Sequence, residues 1–151
     1  MILRILGQSI LLLLLAVAGA WATWRWHPAR PELYLASERA GPDEITVPDA
    51  LALEKQKGVI WLDARVRSEY DKGHIPGAHL LNLYEWEELM FPVAQVLDAD
   101  ESRHTIIIYC DAQKCATSRQ LRDKLSELPL DDRDIRILHG GWPAWKAATG
   151  K

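Results

Sequence analysis

The stretch Thr105-Ile106-Ile107-Ile108-Tyr109 constrains the fold more than any other part of this 151-residue chain. Every residue in it is β-branched or aromatic, and the run has strand length, so it predicts a central, buried β-strand. Val59–Leu62 is a similar apolar run, and Ile135-Arg136-Ile137-Leu138 is predicted to be the last strand. Thr117–Glu127, by contrast, places Leu121 and Leu125 four residues apart with charges between them, which predicts an amphipathic helix.

Strands that alternate with helices indicate an α/β sandwich, with a mainly parallel central sheet flanked by helices. The remaining predicted elements agree with that class. They are a β-prone stretch at 45–47, a helix from Pro48 to about Lys57 that ends at Gly58, a short helix at 67–72, a strand at 78–81, a helix at 85–95 interrupted by Pro92, and a short final helix after Gly140-Gly141.

The amino-terminal residues differ from the rest of the chain because Ile5–Trp24 contains no charged side chain. Twenty helical residues span roughly 30 Å, the thickness of the hydrocarbon core of a bilayer. Trp21, Trp24 and Trp26, with Arg25 and Arg30, lie at the carboxyl end of this segment, as in the interfacial belt of a membrane helix. Residues 1–26 are therefore predicted to form one N-terminal transmembrane helix. The alternative is a cleaved signal sequence with Ala18-Gly19-Ala20 at its cleavage site.

Residues 27–43 are rich in proline and polar side chains and are predicted to be a linker, which leaves 44–151 as the folded domain. The positive charges on the two flanks of the apolar segment are nearly balanced, so the charge pattern does not set its orientation. The similarity of the segment to a signal anchor favours a single-pass protein of a bacterial-type inner membrane, with the domain outside the cytoplasm.

Charge and cysteine content exclude two further classes. A net charge of −3 with no basic run gives no surface for nucleic acid. The two cysteines, Cys110 and Cys115, lie too close together to cross-link distant parts of a scaffold. Cys110 follows the predicted central strand and precedes a helix, a position at which α/β folds bind ligands and a thiolate can be stabilised. From position alone, a buried and inert cysteine is an equal alternative.

Three ordered motifs resemble those of the rhodanese family, and the resemblance extends from about Ile45 to Ala148. The first is Asp63-Ala64-Arg65 with Glu69-Tyr70 and Gly73-His74-Ile75-Pro76-Gly77-Ala78, the second is Tyr109-Cys110, and the third is His139-Gly140-Gly141-Trp142-Pro143-Ala144-Trp145. The resemblance implies a rhodanese-like sandwich and a sulfurtransferase that uses no cofactor and no metal.

The same resemblance assigns roles to individual residues. Cys110 is the expected catalytic nucleophile, which takes a sulfane sulfur from a small donor, holds it as a persulfide and passes it to a thiol or another nucleophilic acceptor. Asp63 and Arg65 are expected to brace the strand end and the loop, with a surface ion pair as the alternative. The expected substrate-binding residues form the loop after the nucleophile: Asp111, Ala112, Gln113, Lys114 and Cys115.

The chain departs from the usual family pattern at two positions. Asp111 places a negative charge, offset only by Lys114, next to the nucleophile, so thiosulfate is not the expected donor. Ala116 stands where a small hydroxyl residue is common, which leaves Thr117 or Ser118 to cap the following helix. His74 and His139 belong to turn motifs and are expected to form structural hydrogen bonds. A zinc site is not expected, because Cys110 and Cys115 lack a second pair of ligands.

Three other functions are alternatives to sulfur transfer. A cysteine phosphatase or arsenate reductase would need an arginine six positions after the cysteine, where this chain has Ala116. A thiol redox role, in which Cys115 resolves a disulfide or persulfide on Cys110, remains open. So does a non-catalytic sensing or docking module, because the sequence identifies no protein partner.

Overall fold

The computed structural model describes residues 8–9, 13–19, 40–111, 116–130 and 133–150. The chain forms two compact units, Met1–Ser37 and Glu38–Lys151. In the first unit, residues 8–9 and 13–19 are helical and exposed. Within the described residues, no helix combines the length and apolar character needed to cross a membrane. The rest of the predicted anchor at 1–26, and most of the predicted linker at 27–43, lies outside the described residues.

The second unit is built on a five-stranded sheet in which every pairing is parallel. The strands are β1 (Glu44–Ile45), β2 (Val59–Asp63), β3 (His79–Leu80), β4 (Thr105–Tyr109) and β5 (Ile135–Leu138). Their order across the sheet is β1-β5-β4-β2-β3, which puts β4 at the centre. The predicted α/β class and the central position of β4 are confirmed.

Five helices connect and flank the strands. They are α1 (Val47–Lys57), α2 (Arg67–Tyr70), α3 (Trp86–Ala99), α4 (Ala116–Ser126) and α5 (Gly141–Thr149). The ends of α1 follow from local chemistry. The Thr46 side chain accepts a hydrogen bond from the backbone N–H of Asp49, Pro48 occupies the first turn, and Gly58 closes the helix at a φ of 79°.

The prediction that Pro92 interrupts its helix is wrong, because α3 continues through it to Ala99. Proline in a helix interior costs ~3 kcal/mol. Three leucine and valine side chains four residues apart, Leu89, Val93 and Leu97, are buried along one face and offset that cost. Pro92 and Glu88, whose carbonyl the proline leaves without its helical donor, both lie on the exposed side of the helix. The final helix α5 is also longer than predicted.

Alternate residues of the central strands pack into two separate cores. Ile106 and Ile108 of β4 pack on one face of the sheet with side chains of α3 and α4. Ile107 and Tyr109 pack on the other face with side chains of α1 and α5. This two-residue period is the one expected of a strand buried on both faces. It also determines the environment of the residue that follows β4, since Cys110 continues the alternation.

Candidate active site

Cys110 lies at the carboxyl edge of the sheet, directly after the central strand. Asp63 on β2 is paired with Tyr109 on β4, and the N–H of Ala64 donates to the Tyr109 carbonyl over 2.8 Å. Cys110 is buried, with 3% of its surface exposed, and shares a cluster with Ala64 and Leu121 on the α3 and α4 face. The ends of the parallel strands therefore hold the predicted nucleophile where α/β folds bind their ligands.

Cys110 is disulfide-bonded in this structure. The described residues contain no free cysteine, and the only other cysteine of the sequence, Cys115, lies outside them. A disulfide sulfur has no thiolate to act as a nucleophile. The state described here is therefore the oxidised one, and any transfer by Cys110 requires prior reduction.

Only the first residue of the predicted substrate-binding loop is described. Asp111 is exposed, with 54% of its side chain accessible. Ala112, Gln113, Lys114 and Cys115 lie outside the described residues. The loop leads into α4, which begins at Ala116.

Asp63 and Arg65 form an ion pair that is buried, with 0% and 3% of their side chains exposed. The Arg65 Nη2 atom lies 2.6 Å from Asp63 Oδ2, while Arg65 Nε donates to Asp63 Oδ1 over 2.9 Å. Burial opposes the charge on Arg65, but the hydrogen bonds and charge of Asp63 outweigh that effect and raise its pKa. The pair lies inside the domain and not on its surface, so the surface ion pair considered as the alternative is not what the structure contains.

Arg65 also links three segments of the site. Its Nη2 donates to the carbonyl oxygen of Gly73 over 2.6 Å, and its Nη1 lies 3.4 Å from Asp111 Oδ1. The expectation that only Lys114 offsets the charge of Asp111 is therefore wrong, because Arg65 contributes as well. Sequence spacing did not reveal this contact, since the two residues are 46 positions apart and meet only through strand pairing.

The sequence places Tyr109 in the central strand and in the Tyr109-Cys110 motif but gives it no role in the site, and the structure shows that it supports the site. Its hydroxyl oxygen accepts a hydrogen bond from the Ile75 N–H over 3.1 Å, which ties the Gly73–Ala78 turn to β4. Burial, together with the charge and hydrogen bonding of Asp63, raises the pKa of Tyr109 far above its ordinary value, so the phenol stays protonated. The alternation of the strand could have revealed this role, because it places Tyr109 on a buried face, where a tyrosine hydroxyl needs a polar partner.

The closing motif contacts Cys110 through its backbone. The N–H of Trp142 donates to the Cys110 carbonyl over 2.7 Å. Gly140, at the N-cap of α5, has a φ of 75°, and a Cβ there would lie 2.6 Å from the Ala144 Cβ, so the turn into α5 requires glycine. The Trp142 ring lies 4.8 Å from the guanidinium carbon of Arg65. The first and last sequence motifs therefore meet around Cys110 and Arg65.

The two motif histidines make the kind of contact expected of structural residues. His74 Nδ1 is 3.0 Å from the Tyr70 carbonyl, and the two rings stack at 3.8 Å. His139 Nδ1 is 2.8 Å from Glu44 Oε2. The expectation that Thr117 or Ser118 caps the helix is wrong, since both residues lie inside α4. Among the described residues, the buried Ser118 hydroxyl has no hydrogen-bond partner.

Comparison with known proteins agrees with this geometry. The family model described as Rhodanese-like domain matches residues 46–148. A rhodanese-related protein from Thermoplasma volcanium is 22% identical with a TM-score of 0.52, and covers 70% of this chain and 92% of its own. The N-terminal domain of a putative ATP/GTP binding protein from Clostridium difficile is 21% identical with a TM-score of 0.50, and covers 72% and 99%.

A third solved structure carries a different functional description. This protein of unknown function from Rhodopseudomonas palustris, titled a possible tyrosine phosphatase, is 23% identical with a TM-score of 0.53, and covers 70% of this chain and 80% of its own. Among curated proteins, none matches the chain in sequence. At these identities the structural likenesses establish the fold alone, whereas the family model covers more than half of the sequence. The chain belongs to the rhodanese-like domain family.

Proposed function

We propose that this protein is a sulfurtransferase in which reduced Cys110 carries a sulfane sulfur as a persulfide. The observation that carries the proposal is the position of Cys110, at the end of the central strand between a braced strand end and the start of α4. Asp63 and Arg65 hold that strand end with a buried ion pair, and Trp142 fixes the Cys110 carbonyl. A thiol held in this way is oriented for repeated attack without rearrangement of the sheet.

The first half-reaction loads the cysteine. The Cys110 thiolate attacks the outer sulfur of a donor persulfide, a new S–S bond forms on Cys110, and the donor leaves as its thiolate. In the second half-reaction an acceptor thiolate attacks that outer sulfur, the Cys110 S–S bond breaks, and the Cys110 thiolate is restored. Covalent catalysis thus divides one transfer into two displacements. The loop residues 111–115 would supply backbone N–H donors to the anionic sulfur.

The charge beside the nucleophile bears on the choice of donor. Asp111 is exposed and its carboxylate is only partly compensated by Arg65 at 3.4 Å. A dianionic donor such as thiosulfate would approach a carboxylate of like charge, which raises its free energy of binding. We therefore propose a monoanionic or neutral sulfane donor, such as an organic persulfide, ahead of thiosulfate.

The experiment is a sulfur-transfer assay on the reduced full-length chain, with Cys110→Ser as the test variant. Serine is nearly isosteric with cysteine but forms no persulfide, so transfer should fall to the uncatalysed rate while the unfolding midpoint stays close to that of the wild type. The assay compares an organic persulfide with thiosulfate as donor. Retained transfer in Cys110→Ser would overturn the proposal.

A thiol redox role is a second candidate, favoured by the disulfide on Cys110. In this function Cys110 and Cys115 would cycle between dithiol and disulfide, exchanging two electrons with a partner dithiol. The two functions differ in product. A redox protein transfers electrons and no sulfur atom, so acceptor mass distinguishes them.

We further propose that residues 1–26 anchor the domain to a membrane, on the strength of the uncharged run in the sequence. Carbonate washing of membranes tests the anchor, because an integral helix stays with the lipid. Recovery of a chain that begins at Trp21 in the soluble fraction would show a cleaved signal instead. The proposed location, outside the cytoplasm, would be tested by protease access in right-side-out vesicles.

A further inference from the structure

A pocket of about 510 Å³ opens beside α5 and the segment that follows α2. Its lining includes Arg65, Gly73, His74, Trp142 and Lys146. This volume falls within the range of roughly 300–1,000 Å³ that is usual for small-molecule sites. The pocket is therefore large enough for an organic molecule of a few carbon atoms or a single ring.

The pocket is separate from the sulfur chemistry. Trp142 and Trp145, two of its walls, pack with the cluster on the α1 and α5 face of the sheet. Cys110 packs with the cluster on the opposite face. A ligand in the pocket is thus linked to the nucleophile only through the Arg65 and Trp142 contacts described above, and its binding does not depend on the Cys110 thiol.

The charged side chains that line the pocket are mostly cationic. They are Arg65, Lys72 and Lys146, beside a single lining carboxylate, Glu69, and the charge of Arg65 is already paired with Asp63. Lys72 Nζ lies 2.6 Å from Glu69 Oε1, so those two charges compensate each other. Lys146 Nζ lies 5.5 Å from the centre of the Trp142 ring and, among the described residues, makes no ion pair. The Lys146 ammonium group therefore lines the pocket with no carboxylate of the described residues paired to it.

Arg65 also retains a donor for a ligand. A guanidinium group has five N–H bonds. Asp63 takes the Nε hydrogen and one Nη2 hydrogen, Gly73 takes the second Nη2 hydrogen, and Asp111 lies at a long 3.4 Å from Nη1. One Nη1 hydrogen therefore has no acceptor in the described part of the chain. The side chain is 3% exposed, and an N–H so buried favours an acceptor.

We propose that this pocket binds a small organic carboxylate. The carboxylate accepts hydrogen bonds from the Arg65 Nη1 and the Lys146 ammonium, and the apolar part of the ligand packs against the tryptophan walls. Small ligands of this size bind weakly, in the millimolar range, because few atoms contribute to the affinity. The site adds a ligand function to the domain that is independent of the sulfur transfer proposed above.

The test uses para-fluorobenzoate and its uncharged isostere para-fluorobenzamide, each titrated against the reduced full-length chain and followed by fluorine NMR. The benzoate should bind more tightly than the amide. Lys146→Gln should weaken benzoate binding about threefold to fivefold, the scale of one partly exposed ion pair, and leave amide binding unchanged. Lys124→Gln is the matched control, because Lys124 Nζ also lies over a tryptophan, 4.0 Å from the centre of the Trp86 ring, but does not line the pocket.

Cys110→Ser separates this inference from the proposed function. Benzoate affinity should be the same in Cys110→Ser and in the wild type, whatever happens to sulfur transfer. Equal affinities for the benzoate and the amide would overturn the inference. So would equal losses in Lys146→Gln and Lys124→Gln, or loss of benzoate binding in Cys110→Ser.

Discussion

An arginine–aspartate pair lies at each end of the strands, buried at the carboxyl edge of the sheet and partly buried at the amino edge. The two pairs differ in the other groups that the arginine contacts. At the carboxyl edge, the side chains of Arg65 and Asp63 are 3% and 0% exposed. At the amino edge, the side chains of Arg133 and Asp100 are 8% and 9% exposed. The two pairs join the same chemical groups. Only the pair of Arg65 and Asp63 lies next to a cysteine, Cys110.

Arg133 uses its remaining donors to close a helix. Its Nη2 donates to the carbonyls of Leu97 and Asp100, which end α3, and Asp100 also accepts from the His104 N–H over 2.8 Å. Arg65 instead reaches the Gly73 carbonyl and Asp111, the residue after Cys110. The comparison shows that an arginine–aspartate ion pair does not by itself identify an active site. The two edges differ in the segments that the remaining N–H donors of each arginine contact.

Removal of either arginine should produce the largest change in stability. Arg65→Ala leaves the buried Asp63 carboxylate without its partner, which costs ~3–5 kcal/mol of unfolding free energy. Arg133→Ala should cost less, because Asp100 is only partly buried and keeps His104 Nδ1 2.6 Å from its carboxylate. Arg67→Ala, which breaks exposed ion pairs, should cost less than ~1 kcal/mol. Urea denaturation measures all three. At a temperature where each variant is folded, only Arg65→Ala should slow sulfur transfer, and an equal slowing in Arg133→Ala would remove the proposed distinction between the edges.

Tyr109→Phe should have an intermediate effect, confined to the carboxyl edge. The substitution deprives the buried Ile75 N–H of its acceptor, which should cost ~1–3 kcal/mol. Hydrogen exchange at the Ile75 amide should accelerate as well, while amides next to Asp100 exchange as in the wild type. An unchanged unfolding free energy together with unchanged exchange would show that the phenol does not support the site.

Acidification should lower the unfolding free energy gradually, through the amino edge, and by less than the substitutions above. Burial of Asp100 disfavours its charge, but hydrogen bonds from the His104 backbone and Arg133 outweigh burial and lower its pKa below the ordinary 3.8. The folded state then binds fewer protons than the unfolded state, so this stabilisation is present above about pH 4 and is lost as the pH falls through the lowered pKa. Unfolding free energy measured against pH should fall less steeply in Asp100→Asn than in the exposed control Asp98→Asn. Equal slopes would contradict the assignment.

Cys115→Ala should have the smallest effect on the first turnover. The variant keeps Cys110 and should load and discharge most of one sulfur equivalent after reduction, because the transferred sulfur is carried by Cys110 alone. Peroxide should oxidise its Cys110 to sulfinic acid more readily, since no second thiol is available to form a disulfide. Intact mass follows both changes. A Cys115→Ala variant as inactive as Cys110→Ser would favour the dithiol function.

Strong local patterns made most of the fold predictable. The β-branched run at 105–109 predicted the central strand because few other structures accept such a sequence, and Gly58 predicted a helix end because of its backbone freedom. Pro92 was misjudged since the burial of Leu89 and Val93, a tertiary effect, outweighs a local penalty. Motif order predicted Cys110 as the nucleophile, and that role stays a prediction. The contacts of Cys110 with Trp142, and those of Arg65 with Asp111, could not be predicted, because they join residues that only strand pairing brings together.

The most direct test of the account is peptide mass spectrometry of the reduced full-length chain after exposure to an organic persulfide. The account predicts one added sulfur atom on the peptide that contains Cys110, and its loss when an acceptor thiol is added, with a matching gain of one sulfur by that thiol. Cys110→Ser should acquire no sulfur. An added sulfur that sits on Cys115, or a Cys110 that forms only a disulfide and never gains sulfur, would contradict the central claim.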